Sequence, residues 1–239
     1  MTTLNVNTIT PAGSTLTLGE SGDTVVVTDD VKVNTVKDAG GNTLWVSNGS
    51  GVVSSVKAGI GGASKLLSTQ TASSSASISF TSGIDATYKE YIWKFININA
   101  ATDQANFTFQ ASTDGGSSYG VTLTTTFIMA YHEESDGDAG LQYQGGLDLA
   151  QSTDFQIIYY YLGNGSDECG SGELHLFNPA STTYVKNWYA RGNANISGAR
   201  SDDDMPAGYF NTTTALNAIQ FKMTSGNFDG TIKMYGVLS

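Results

Sequence analysis

Charge is scarce in this chain. Only 14% of its 239 residues are Asp, Glu, Lys or Arg, well below the usual quarter. The 11 basic residues are outnumbered by 22 acidic ones, giving a formal net charge of -11. Basic residues this few and this scattered exclude a phosphate-binding surface, so no nucleic-acid partner is expected. The acidic balance also disfavours anionic membranes and acidic polysaccharides but leaves neutral sugars open. Cysteine is nearly absent. Cys169 alone permits no intrachain disulfide, and in the loop 165–170 it reads as a bystander thiol because no activating partner adjoins it. No apolar run is long enough to span a membrane, so no membrane insertion is expected. The start, Met1-Thr2-Thr3-Leu4-Asn5-Val6, lacks the basic and apolar parts of a signal peptide, which predicts synthesis in a cytoplasm without secretion.

Motifs for chemistry are missing too. His132 and His175 are the only histidines, with neither H-E-x-x-H nor Cys/His zinc spacing around them. No G-x-S-x-G elbow occurs. Gly59-Ile60-Gly61-Gly62-Ala63-Ser64-Lys65 lacks the order of a phosphate loop and reads as a hinge. No catalytic residue, cofactor or metal centre is expected.

What fills the composition is Thr, Ser, Asn and Gly, together with 12 Tyr and 10 Phe. That mixture suits an all-β protein with many turns and uncharged polar strand faces. The chain changes character near residue 70, before which Trp45 is the only aromatic residue. Residues 1–58 carry a weak repeat: Val6-Asn7-Thr8-Ile9 recurs as Val33-Asn34-Thr35-Val36, and Gly13-Ser14-Thr15-Leu16 as Gly41-Asn42-Thr43-Leu44. Two such copies cannot bury a core alone. Self-association is therefore expected, with Leu16, Leu18, Val25 and Val27 facing a shared axis. A homotrimer with intertwined N-terminal strands is the expectation, although a dimer or docking on another protein would also meet the need. Residues 59–75 are expected to be a Gly/Ser-rich linker.

Residues 76–239 read as an antiparallel, jelly-roll-like β-sandwich. Apolar alternation predicts strands near 76–80, 88–98, 106–110, 119–123, 155–161, 172–177, 184–190, 207–210, 218–223 and 231–235. Tyr91, Trp93 and Phe95 should share one face, and Ile92, Ile96 and Ile98 the other. Ser112-Thr113-Asp114-Gly115-Gly116 and Asn227-Phe228-Asp229-Gly230 look like hairpin turns, joining 106–110 to 119–123 and 218–223 to 231–235.

Several stretches carry a family resemblance. They are Ser77-Ile78-Ser79-Phe80-Thr81-Ser82-Gly83-Ile84-Asp85-Ala86-Thr87-Tyr88-Lys89-Glu90-Tyr91, Phe107-Thr108-Phe109-Gln110-Ala111-Ser112-Thr113-Asp114-Gly115-Gly116, His175-Leu176-Phe177-Asn178-Pro179-Ala180-Ser181 and Gly230-Thr231-Ile232-Lys233-Met234-Tyr235-Gly236. Together they resemble the C-terminal domains of fibre or spike-like structural proteins of tailed phages, particularly those of marine bacteria and cyanobacteria. The opening Val6-Asn7-Thr8-Ile9-Thr10 and Leu16-Thr17-Leu18-Gly19 look like the attachment end of such fibres. The resemblance implies a virion location after synthesis in the host bacterial cytoplasm, a homotrimer, other virion proteins (tail, capsid or adaptor) as partners of the N-terminal region, and host contact by the C-terminal domain. Capsid decoration or tail connection is the alternative, and a polysaccharide depolymerase a more distant one.

The candidate contact residues for a glycan or protein partner fall in three places. Tyr131, His132, Glu133, Glu134, Asp136 and Asp138 form an acidic stretch whose spacing falls short of a calcium loop, so a solvated loop is the plainer reading. Asp202, Asp203 and Asp204 read as a soluble tip or a metal or sugar contact. Trp45 is a candidate anchor to another virion protein. Tyr159-Tyr160-Tyr161 and Trp188-Tyr189 could each turn one ring to the core and the other to a sugar.

Overall fold

A computed structural model describes residues 35–37, 40–47, 53–56 and 64–237. The chain divides into two compact units, Met1–Lys57 and Ala58–Ser239. In the first, β1 (Thr35–Lys37), β2 (Thr43–Ser47) and β3 (Val53–Val56) form an antiparallel three-stranded sheet in sequence order. Leu16, Leu18, Val25 and Val27, the residues expected on a shared axis, lie outside the described residues.

The second unit is all-β and antiparallel throughout its described residues. Its strands are β4 (Ser64–Ser75), β5 (Ile78–Phe80), β6 (Glu90–Ala100), β7 (Ala105–Ser112), β8 (Leu123–Glu133), β9 (Ala139–Tyr143), β10 (Gln156–Leu162), β11 (Gly170–Phe177), β12 (Lys186–Ile196), β13 (Arg200–Phe210), β14 (Ala218–Met223) and β15 (Phe228–Val237). One layer runs β4-β15-β6-β11-β12-β13-β8-β9 and the other β10-β7-β14-β5. The layers join at one corner through the pair Leu162↔Ile196. Opposite that corner, the Gln70 side-chain amide donates to the Ser79 carbonyl at 2.8 Å, linking β4 to β5. The result is a nearly closed, barrel-like sandwich.

Aromatic rings fill the space between the layers. Phe95 on β6 meets Phe107 on β7 at 5.3 Å and Phe221 on β14 at 5.2 Å, both edge to face. Phe109 meets Trp188 at 4.7 Å. Such rings bury large apolar areas and prefer these tilted arrangements. Strict alternation produces the inward face of β12, where Lys186, Trp188, Ala190, Ala194 and Ile196 are buried and Asn187, Tyr189, Arg191 and Asn193 exposed. On β6 the alternation breaks. Tyr91, Trp93 and Phe95 point inward as expected, but Ile98 is buried while Ile96 is 40% exposed. The cause is a bulge: Asn97 has φ +52 and the pairing slips between Gly170 and Gly172, so the inward parity resets.

Three expectations are corrected. Residues 64–75 are not linker. They form β4, which pairs along β15 from Val237↔Ser64 to Phe228↔Ser75. Neither expected hairpin forms. β7 pairs with β10 and β14, and the chain after its turn crosses to the other layer as β8. Likewise β14 pairs with β5 and β7, whereas β15 pairs with β4 and β6. Turn residues specify a reversal, not which layer receives the next strand. Here most connections cross the core.

β7 is buried on both faces, including Thr108, Gln110 and Ser112. Its outer face lies under the segment before β10: the Gln110 amide donates to the carbonyls of Thr153 and Asp154 at 3.1 and 2.9 Å. Phe221→Ala, which empties the centre of the ring cluster, is expected to cost about 3–5 kcal/mol. Tyr184→Ala, at a position 69% exposed, should stay within about 0.5 kcal/mol. Urea denaturation of the two variants checks the contrast, and equal losses would contradict this placement of the core.

Candidate functional site

The acidic stretch 131–138 turns the chain from β8 into β9, and Glu133 and Asp138 close it backbone to backbone at 2.9 Å. Its side chains largely serve the turn itself. Tyr131 donates its hydroxyl to Asp138 at 2.9 Å, His132 Nε2 lies 3.1 Å from Asp136, and Ser135 donates to Glu133 at 3.3 Å. The bond to Asp138 raises the Tyr131 pKa, with its desolvation and negative neighbours adding to the rise. The Glu134 amide donates to the Ala199 carbonyl of the β12–β13 turn at 2.9 Å. Among the described residues no group of three or more His, Cys, Asp or Glu could hold a metal ion. Trp45, in β2, is half-buried and lies opposite Val36 and Val56.

Asp202, Asp203 and Asp204 are not a tip. They lie within β13, alternating across the sheet. Asp203 faces out and holds Arg191, with Nη2 to Oδ2 at 2.7 Å. Asp202 and Asp204 face in and are fully buried. Asp202 forms a two-pronged pair with Arg200, both contacts 2.7 Å, and the guanidinium lies 4.6 Å from the centre of the Tyr131 ring. Asp204 accepts only the Tyr160 amide, at 3.0 Å, and its Oδ1 has no partner. Burial, reinforced by the charges of Asp202 and Asp203, pushes its pKa up to about 8. At neutral pH Asp204 therefore keeps a proton.

The tyrosine run resolves unevenly. Tyr159 is fully buried and Tyr161 is 39% exposed. The rings of Tyr160 and Tyr161 stack on each other at 3.8 Å, because Tyr161 sits at φ +51 and departs from strand alternation. Trp188 goes to the core. Tyr189 goes to the outer face, stacked at 4.5 Å on His175, whose Nδ1 lies 2.6 Å from Glu90. Beside them, Lys94, Glu173, Arg191, Lys233 and Tyr235 border a shallow hollow of ≈ 370 Å³.

A larger cleft, ≈ 550 Å³, lies between three loops that leave the strands at one end of the sandwich. They span 113–122, 151–154 and 211–214. The Asn211 amide donates to the Thr122 carbonyl at 2.7 Å, and its side chain donates to Gln151 at 2.8 Å. Gly115 donates to the Asn217 side chain at 2.8 Å. Asp114 organises the first loop, accepting Ser112 at 2.6 Å and both the amide and hydroxyl of Ser118 at 3.0 and 2.5 Å. These bonds hold its carboxyl well below the usual range. Gly116 has φ +90, and a Cβ there would come within 2.7 Å of the Tyr119 hydroxyl, so this turn requires glycine to seat the ring. From below, buried Lys186 donates to the Thr212 carbonyl at 3.0 Å, and burial lowers its pKa. This cleft escaped sequence reasoning. Its walls come from three distant segments whose Thr, Ser and Asn match the composition everywhere.

Comparison with protein-family models, with curated proteins and with solved structures finds no match to this chain.

Asp204 makes a pH prediction. Its folded pKa is raised above the ordinary carboxylate value of 3.8, so folded protein binds a proton that unfolded chain releases. Stability should fall as pH rises from about 4 to about 8 and then level off. Asp204→Asn should remove on the order of 3–5 kcal/mol of that fall. Urea midpoints across this range test it, and parallel curves for the two proteins would contradict the assignment.

Proposed function

We propose that the chain is a structural subunit of a bacterial virus: a trimeric tail fibre or spike protein. Its N-terminal region attaches to other virion proteins and its β-sandwich meets the host surface, where a glycan is the contact. The observation that carries this reading is the end of the sandwich. There three loops tied to one another and to the strands frame an open, uncharged cleft. Recognition loops on a rigid β scaffold are a common way to build a contact surface. The resemblance to tailed-phage fibre domains supports the same reading, with the virion as the proposed location.

Binding without catalysis is supported by what the inner carboxylates do. A glycosidase needs two carboxyl groups facing a shared cleft. Asp202 is held by Arg200, and Asp204 is buried against the Tyr160 amide. A second reading, capsid decoration or tail connection, draws on the outer face of β8 and β9. Ile128, Leu141 and Tyr143 are 41%, 72% and 56% exposed there and could dock on another virion protein.

Light scattering at micromolar concentration tests the assembly. Three times the protomer mass is expected, and a stable monomer would contradict the fibre reading.

A further inference from the structure

We propose that the cleft between loops 113–122, 151–154 and 211–214 is a binding site for a neutral saccharide of one or two hexose units. This deepens the host-contact reading and rests on it for its biological meaning. The chemical argument stands on the cleft itself.

The lining is polar without charge. Thr113, Ser118, Thr122, Thr153, Thr214 and Asn211 line it, and no lining residue is ionised; the Ser118 hydroxyl already donates to Asp114 and is left to accept, and Asn211 gives one amide hydrogen to Gln151. In a chain of net charge -11 that neutrality sets the cleft apart. Each Ser or Thr hydroxyl both donates and accepts, as does each hydroxyl of a sugar, so the two surfaces pair in several registers without a buried charge to neutralise. A phosphate or carboxylate ligand would need a cation. The lining offers none, and Lys186, beneath it, has its ammonium on the Thr212 carbonyl. An apolar ligand would leave the hydroxyls unpaired at a cost. Tyr119 and Val121 add a small apolar wall suited to the C–H face of a pyranose.

Size and order agree. The volume of ≈ 550 Å³ lies within the range of roughly 300–1,000 Å³ seen for small-molecule sites. The ties from Asn211 to Thr122 and Gln151, and from Gly115 to Asn217, fix the loops before any ligand arrives, which lowers the entropic cost of binding. One such site is weak, and repetition across identical subunits multiplies it.

The test uses the full chain and saturation-transfer NMR with glucose, galactose, mannose, maltose and lactose at millimolar concentration. Glucuronate serves as the charged counterpart. At least one neutral sugar should give signal, and glucuronate should give less. The double variant Thr122→Val, Thr153→Val keeps side-chain shape and removes two hydroxyls. It should weaken the bound sugar by about tenfold while its melting temperature stays at the wild-type value. Silence from every neutral sugar, or undiminished binding by a folded double variant, overturns the assignment. Light scattering on the same samples separates the two readings. A trimer that binds no sugar overturns the cleft alone. A monomer whose sugar signal falls in the variant upholds the cleft and overturns the fibre.

Discussion

The packing of Phe107 and Phe221 against Phe95, Trp93 and Tyr159 is the contact on which the rest of the sandwich depends. Phe107 and Phe221 sit on neighbouring strands of one layer, stacked at 5.8 Å, and Phe95 crosses from the other layer to touch both. A strand bearing such rings must face a second layer, because leaving them in water forfeits about 1.5–3 kcal/mol for each ring of this size. Successive aromatic strands meet this demand by crossing the core: β5 to β6, β6 to β7, β7 to β8. Each crossing requires a loop over an end of the sandwich, and the cleft is built from such loops. The cleft is in that sense a by-product of how the core closes.

Several polar groups inside the sandwich are tied to one another. Thr125 donates to Gln156 at 2.6 Å, and Gln156 in turn donates to the Leu147 and Ile157 carbonyls at 3.0 and 2.9 Å. Asp202 and Arg200 neutralise each other. Burying such a pair seldom adds net stability over an apolar replacement, but breaking one partner is costly. Others stay unpaired, among them the Tyr159 hydroxyl, the indole nitrogens of Trp93 and Trp188, and one oxygen of Asp204. The protonated state of Asp204 is how the fold tolerates a carboxyl beside Tyr159 and the Asp202–Arg200 pair.

Much of the strand content was legible in the sequence and most of the pairing was not. Alternation located β12 and β14 because each has one face against the core and one turned outward. It misread Ile98, since a bulge at Asn97 cannot be seen in apolar spacing. It missed β4, whose Ser and Thr residues look like linker until β15 is beside them. Asp202 and Asp204 read as a tip or a metal or sugar contact because nothing local announces a buried carboxylate. What makes the position tolerable is Arg200 two residues before, the Tyr160 amide on another strand, and small partners at Gly192 and Ala194. The acidic turn was readable, as it follows from local pattern; which of Trp188 and Tyr189 turns outward was not. The cleft was not, being assembled only once three crossings converge.

Hydrogen exchange at single amides tests most directly whether the core holds the cleft in shape. The Asn211 amide, bonded to the Thr122 carbonyl, and the Gly115 amide, bonded to the Asn217 side chain, should exchange slowly, within about tenfold of the β7 and β14 amides. If both exchange at the rate of unstructured chain while β7 and β14 stay protected, the loops are independent of the core and the account fails.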